Sequence, residues 1–424
     1  MAKRPPPFYG WIIIGIAILS GTLIYGVRHS FSVFFPQILD EFGWSRGSTA
    51  LMLSLNVLVY GLVSPIAGSL GDRWKPKRVM TIGIIIISLA TAGCAFARQL
   101  WHFYLLYGVL TPIGTAFSGA PLLTPAVANW FTKRRGLAVG LGQVGGGLSW
   151  SYTMFTEFVI SRLGWQNAYF VLAGALAVLI LPLYTRFHYR PEDKGLTADG
   201  TIEITANKVS ASEAATKTSP AFRDWTLREA MRTRQLWLLV FSNFLYWGIG
   251  NYLVLGHQVK FTEDVGYGSA FSASVLALFG VFMVVGQFSS SISDRIGKEK
   301  TVTLAATLSI GALVALLSIK DTSQSGLLYL YAICFGLGAG LFTPSPFVAM
   351  ADFFHGRNFG AISGLLLTGM GMGAAFGPWL GGYLYDTTGS YTIAFILSLA
   401  CFAISCIAFW LAAPRNATKV RARI

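Results

Sequence analysis

Twelve apolar runs, each long enough to cross a hydrocarbon layer as a helix, occupy most of the 424 residues. A helical crossing needs about 20 such residues. The runs lie at Tyr9 to Phe35, Gly47 to Leu70, Val79 to Ala97, Trp101 to Trp130, Gly136 to Ser161, Ala168 to Phe187, Leu236 to Phe261, Ala270 to Ser293, Thr301 to Ile319, Gly326 to Phe353, Phe359 to Tyr385 and Tyr391 to Ala413. With 54% hydrophobic and 12% charged residues, the composition is outside the range of soluble domains and predicts an all-α integral membrane protein.

The runs form two related sets. A basic loop, GSLGDRWKPKR at Gly68 to Arg78, returns as SSSISDRIGKEK at Ser289 to Lys300, so that Asp72 and Asp294 lie 222 residues apart. ANWFTKRRGLAVGL at Ala128 to Leu141 is echoed by ADFFHGRNFGAISGLL at Ala351 to Leu366, and LGWQNAYFVL at Leu163 to Leu172 by TGSYTIAFIL at Thr388 to Leu397. The duplication predicts two pseudo-symmetric six-helix bundles, residues 1–187 and 236–413, joined by a hydrophilic linker over 188–235 and followed by a tail over 414–424. Duplicated membrane chains often bind their substrate between the halves, near mid-membrane. The linker's start has a disordered composition. Phe222, Trp225, Leu227 and Met231 predict a helix over Ala221 to Arg234, lying along the membrane surface.

A net charge of +14 raises the question of nucleic acid, but most of the Lys and Arg sit in the tails and even-numbered loops. That is the positive-inside pattern, and it predicts two cytoplasmic termini and contact with anionic lipid, with no nucleic-acid partner. The expected location is the cell membrane, multi-pass, in a bacterial inner membrane. Cys94, Cys334, Cys401 and Cys406 fall within apolar runs without metal-ligand spacing, so they are expected as small core residues, and no metal or cofactor is implied. The start, MAKRPPPFYGW, is too short and too Pro-rich for a signal peptide, so the first run is expected to stay as the first helix. The 47 glycines concentrate within the runs, where small residues let helices approach.

Ionisable residues inside a span point to function, because an unpaired ion there costs several kcal/mol. Tyr25, Arg28, His29 and Ser32 follow i, i+3, i+4, i+7 and share one face of the first helix. Arg28 offers a permanent planar cation suited to a carboxylate; the alternative is a structural pair or a side chain reaching the outer surface. His29 is a candidate for anion binding or proton relay. In the seventh helix Asn243, Tyr246, Gly250 and His257 share a face, with Asn251 beside it and Lys260 near the end. The fifth helix aligns Gln143, Gly146, Trp150, Thr153 and Glu157. Glu157 either pairs with Arg28 or titrates during transport, or else is partly solvated near the outer surface. Tyr107 in the fourth helix, Tyr331 in the tenth and Tyr383 beside Trp379 in the eleventh complete an aromatic cavity suited to a small organic anion. The expected binding set is therefore Tyr25, Arg28, His29, Tyr107, Asn251, His257, Tyr331 and Tyr383, with His29, Glu157 and His257 as proton-coupling candidates. Taken singly, the aromatic and hydroxyl residues of the cavity read as packing, and only their combination with Arg28 and His257 carries the functional expectation.

The basic loop after the second and eighth runs, the WFTKRRG turn after the fourth and the two six-helix halves resemble the major facilitator superfamily over essentially the whole chain. The resemblance implies that Asp72, Arg73, Asp294 and Arg295 act as gating elements. YGVRHSFSVFFPQILDEFGWSR at Tyr25 to Arg46 and LVLGHQVKFTEDVGYG at Leu253 to Gly268 look like bacterial members of the monocarboxylate transporter group and its oxalate/formate relatives. Within that group His257 matches a family His, and His29 stands where a Lys is common. The group also implies an eighth-helix Arg, yet counting back from the loop acid gives Gly286. The expected function is secondary active transport of a small organic anion, a mono- or dicarboxylate, by a monomer with alternating access and proton symport or anion exchange. A drug or metabolite exporter and a non-transporting nutrient sensor are the alternatives. No nucleophile or acid–base constellation supports an enzyme.

Overall fold

Backbone polar groups in lipid find no water, so an apolar chain satisfies them within helices. The computed structural model describes residues 8–131, 135–196, 225–289, 293–354 and 359–416, and among these there is no strand. The long helices are α1 Gly10–Phe42, α2 Arg46–Arg73, α3 Pro76–Cys94, α4 Leu100–Trp130, α5 Arg135–Leu163 and α6 Trp165–Thr185. They continue with α7 Arg234–Val265, α8 Ser269–Ser289, α9 Lys298–Leu317, α10 Thr322–Phe353, α11 Phe359–Thr388 and α12 Thr392–Ala412. Ten meet both the length and the hydropathy of a membrane span among the described residues, and α5 and α11 are 29 and 30 residues long.

The first helix runs on past the expected limit at Phe35. Pro36 is accommodated inside it, Ile38 and Leu39 are buried, and the helix stops at Gly43, whose φ of 63° suits glycine. Between α6 and α7 the described part of the expected surface helix is a single turn, Leu227–Ala230, held by a reciprocal cap between Thr226 and Glu229. Phe222 lies outside the described residues. Trp225 instead packs edge-on against Phe354.

Packing follows the repeat. In the first half α1 lies on α5, α2 and α3 on α4, and α3 on α6; in the second, α7 lies on α11, α8 and α9 on α10, and α9 on α12. The halves meet through α2 with α11 and α5 with α8, a pair of contacts that the same two-fold exchange interconverts. Backbones come close at these seams. A Cβ at Gly61 would stand 3.2 Å from both the Leu367 carbonyl and the Gly371 Cα, so α2 and α11 touch backbone to backbone.

Departures from α geometry fall at related places. The first helix has a turn at Ser30, α7 a π-helical stretch over Phe244–Asn251, α4 another over Tyr104–Leu110 and a break at Gly119, and α10 a turn at Thr343 and Pro344. The sixth helix has a shorter π stretch at Leu176–Ile180. Interrupted helices leave backbone groups for side chains or ligands to take up.

Candidate functional site

A π turn hydrogen-bonds i to i+5 and leaves carbonyl capacity unused within the helix. In α4 that capacity is taken by Asn56 of α2, whose Nδ2 donates to the Tyr107 carbonyl at 2.7 Å. The Oδ1 of Asn56 accepts from Arg28 Nε at 2.7 Å, and the Tyr107 hydroxyl donates to the Arg28 carbonyl at 2.7 Å. Three residues on three helices thus close a hydrogen-bonded ring. Arg28 is 2% exposed and its Nη2 has no hydrogen-bond partner. Its guanidinium carbon lies 4.2 Å from the Tyr60 ring centroid and 5.6 Å from that of Tyr25, and Tyr252 of α7 lies within electrostatic reach of it from the other half. Among the described residues no carboxylate pairs with it. Burying a cation with no counter-charge is costly, and the two cation–π contacts offset part of that cost. The charge itself stays uncompensated.

His29 continues the site toward α5. Its ring stacks on Trp150 at 3.6 Å and 6°, and its Nδ1 lies 2.8 Å from Ser149 Oγ. Ser149 spends its proton on the Gly146 carbonyl, so Nδ1 of His29 is the donor. The Tyr25 ring lies 6.4 Å from that of His29 at an angle of 22°, and its hydroxyl meets Tyr60 and accepts the Ala120 N–H. From Trp150 an aromatic row crosses to the second half through Phe279 and Phe335 to Tyr331, whose buried hydroxyl has no partner.

The remaining expected residues are placed apart from this cluster. Asn251 donates to the Tyr246 carbonyl freed by the α7 π stretch, and its Oδ1 is buried without a partner. His257 is fully buried with both nitrogens engaged: Nε2 donates to the Pro378 carbonyl at 2.7 Å and Nδ1 faces the Tyr391 hydroxyl at 3.2 Å. Tyr391 in turn accepts from Arg46 Nη1 at 2.8 Å, so His257 joins a network at the end of the bundle opposite the termini. Tyr383 is 49% exposed, stacked on Trp379 near Gly47. Glu157 is buried, and among the described residues it forms no ion pair with Arg28. The Gly286 position faces α10, where a Cβ would meet the Leu337 carbonyl at 2.6 Å and Gly340 Cα at 2.9 Å.

That opposite end is closed by charged contacts between the halves. Arg46, opening α2, pairs with Asp264 of α7 at 2.5 Å and covers the Tyr385 ring at 3.6 Å. Asp386 of α11 accepts the backbone N–H of Arg46 and of Gly47. Lys260 joins Asp264 at 3.6 Å and Asp40 of α1 at 3.5 Å. Of the expected gating residues, the side chains of Asp72, Arg73 and Asp294 lie outside the described residues, and Arg295 is exposed on the short helix Ser293–Ile296.

Sequence reasoning singled out Tyr25, Arg28, His29 and Tyr107, which the structure brings together, but passed over Asn56, Tyr60 and Tyr252. Asn56 and Tyr60 are polar positions four apart within an apolar helix, a spacing that marks one face. Arg46 and Asp386 lie at helix ends, where charged residues are common and carry no comparable signal.

Residues 16–365 and 292–423 each match the sequence profile of the Major Facilitator Superfamily. The chain is 25% identical over 400 residues to monocarboxylate transporter 13 of Bos taurus, covering 94% of this chain and 88% of that protein. It is 27% identical over 406 residues to monocarboxylate transporter 11 of Homo sapiens, covering 94% and 81%. Among solved structures it resembles a bacterial homolog of the human lysosomal transporter Spinster, inward-facing and unoccupied, with a TM-score of 0.70, 15% identity and 98% and 99% of the two chains covered. A D-xylose-proton symporter gives 0.67 at 16% identity, covering 95% and 96%; at such identities the likeness concerns the fold alone. Helix order, two-fold packing and the profile match agree: the chain belongs to the major facilitator superfamily, as a membrane transporter with monocarboxylate transporters among its relatives.

Proposed function

We propose that the protein is a secondary active transporter of small organic carboxylates, working by alternating access around a site centred on Arg28. One observation carries this reading: a buried guanidinium with a free Nη2, surrounded by phenols and an amide. A carboxylate arriving there would supply the missing charge and accept from the open edge of the fork. Tyr252 at the guanidinium supports a site shared by both halves, as rocking requires. The relatives' names support a monocarboxylate over a dicarboxylate, as does the fact that Arg28 is the one buried Arg or Lys among the described residues.

In this reading both termini are cytoplasmic, and the contacts around Arg46 close the outer end. His257, linked to Arg46 through Tyr391, is the favoured proton-coupling group, with His29 and Glu157 as further candidates. Reconstitution into liposomes tests the whole reading. Saturable uptake of a labelled monocarboxylate, driven by a proton gradient or by counter-substrate, is expected. Binding without flux would identify a sensor, and flux of neutral amphiphiles alone an exporter.

A further inference from the structure

The side chain that orients Arg28 is neutral, and that choice has a chemical consequence. Arginine in a membrane protein is ordinarily matched by a carboxylate, and an Asp would occupy the same volume as Asn56 while accepting from Nε equally well. An amide does two further things. Its Nδ2 donates to the Tyr107 carbonyl, a bond that an ionised Asp cannot make, and it leaves the full positive charge of Arg28 uncompensated.

We infer that Asn56 is the positioning and charge-selecting residue of the site: it turns the Nη2 edge of Arg28 toward the ligand and reserves the site for a single negative charge. This rests on the reading of Arg28 as the anion site. The described groups close to Arg28 agree with it: Tyr25 on α1, Tyr60 on α2, Tyr107 on α4 and Tyr252 on α7, with His29 next in sequence, and among the described residues none of its partners is an acid. Selectivity then arises by subtraction. A carboxylate brings the one charge the pocket lacks, a neutral analogue leaves the cation unpaired, and a second carboxylate group finds no second guanidinium there.

The test uses purified full-length protein and a fixed panel of monocarboxylates from acetate to benzoate, each beside its primary amide, with affinities read from ligand-induced shifts in melting temperature. In the wild type the best acid of the panel should bind at least about tenfold better than its amide, the scale of a charge-assisted hydrogen bond. Asn56→Asp should bring that ratio to about one, because an ion pair now satisfies Arg28. Asn56→Ser, neutral but too short to span Arg28 and Tyr107, should weaken acid binding by about fivefold or more and amide binding by less, so that the ratio falls but stays above one, since the charge remains and only the orientation that serves a carboxylate is lost. A merely structural role would weaken acid and amide alike and leave the ratio untouched.

Wild-type affinity and wild-type ratio in both variants, with acid binding lost in Arg28→Ala, would overturn the role of Asn56 and leave the anion site standing. Should Asn56→Asp not fold, Asn56→Ser decides: wild-type affinity there, or a loss shared equally by acid and amide, overturns the inference. No acid-dependent shift in the wild type that Arg28→Ala removes would overturn the anion site and this inference with it.

Discussion

The Asp386 carboxylate, near the end of α11, accepts the backbone N–H groups of Arg46 and Gly47 at 3.0 and 2.7 Å and so caps the start of α2 from the opposite half of the molecule. First-turn N–H groups lack partners within their own helix and carry the positive end of the helix dipole, so a carboxylate is well matched to them. Because cap and helix belong to different bundles, the contact exists only while that end is closed.

Asp386→Ala removes this cap without touching the Arg28 cluster. A capping side chain contributes about 1 kcal/mol, so the closed form of that end should become roughly fivefold less populated. Cysteine accessibility or spin-label distances across α2 and α11 at that end would register the shift, and an unchanged distribution would show that the cap does not bias the state.

Arg46→Lys keeps a positive charge but gives up the planar guanidinium whose Nη1 donates to both Asp264 and Tyr391 while its face covers the Tyr385 ring. Ligand binding should survive and turnover fall. A double-mutant cycle with Asp264→Asn should return a coupling of about 1 kcal/mol for this partly buried pair, and additivity would mean that the two residues act separately.

Arg28→Ala should abolish saturable uptake at unchanged expression, and Arg28→Lys should retain charge with weaker binding, because an ammonium cannot serve Asn56 and a carboxylate in one plane. Normal affinity in Arg28→Ala would remove Arg28 from the site.

His257→Gln preserves an amide donor toward the Pro378 carbonyl and an acceptor toward Tyr391, but it has no titratable proton. If His257 couples protons, the variant should fold and still exchange substrate across the bilayer, while uptake loses its pH dependence. Wild-type uptake that is itself insensitive to pH would end the coupling role.

Gly286→Arg tests whether the eighth-helix arginine of the related group can be restored. The added Cβ alone would overlap the Leu337 carbonyl, so a loss of at least about 2 kcal/mol from overpacking is expected, with no gain in anion affinity. Melting temperature and ligand-induced shift report the two effects separately, and a stable variant with tighter binding would contradict this placement.

Membrane insertion, helical class and duplication were legible in the sequence because they depend on local quantities: run length, hydropathy and the offset between Asp72 and Asp294. The shared face of Tyr25, Arg28 and His29 followed from helical spacing alone. What Arg28 touches did not, since Asn56 and Tyr107 arrive from helices whose rotation about their own axes is set by packing. The same holds for Gly286, where the count back from the loop acid identified the residue but not that it faces α10. His257 carried a recognisable motif, and only the fold showed both of its nitrogens engaged, one of them with a hydroxyl bonded to Arg46. Asp386 and Arg46 lie 340 residues apart and read as ordinary helix-end charges. Composition and period describe each helix as a separate object, whereas the site and the closing contacts exist in the distances between helices, which only the tertiary structure decided.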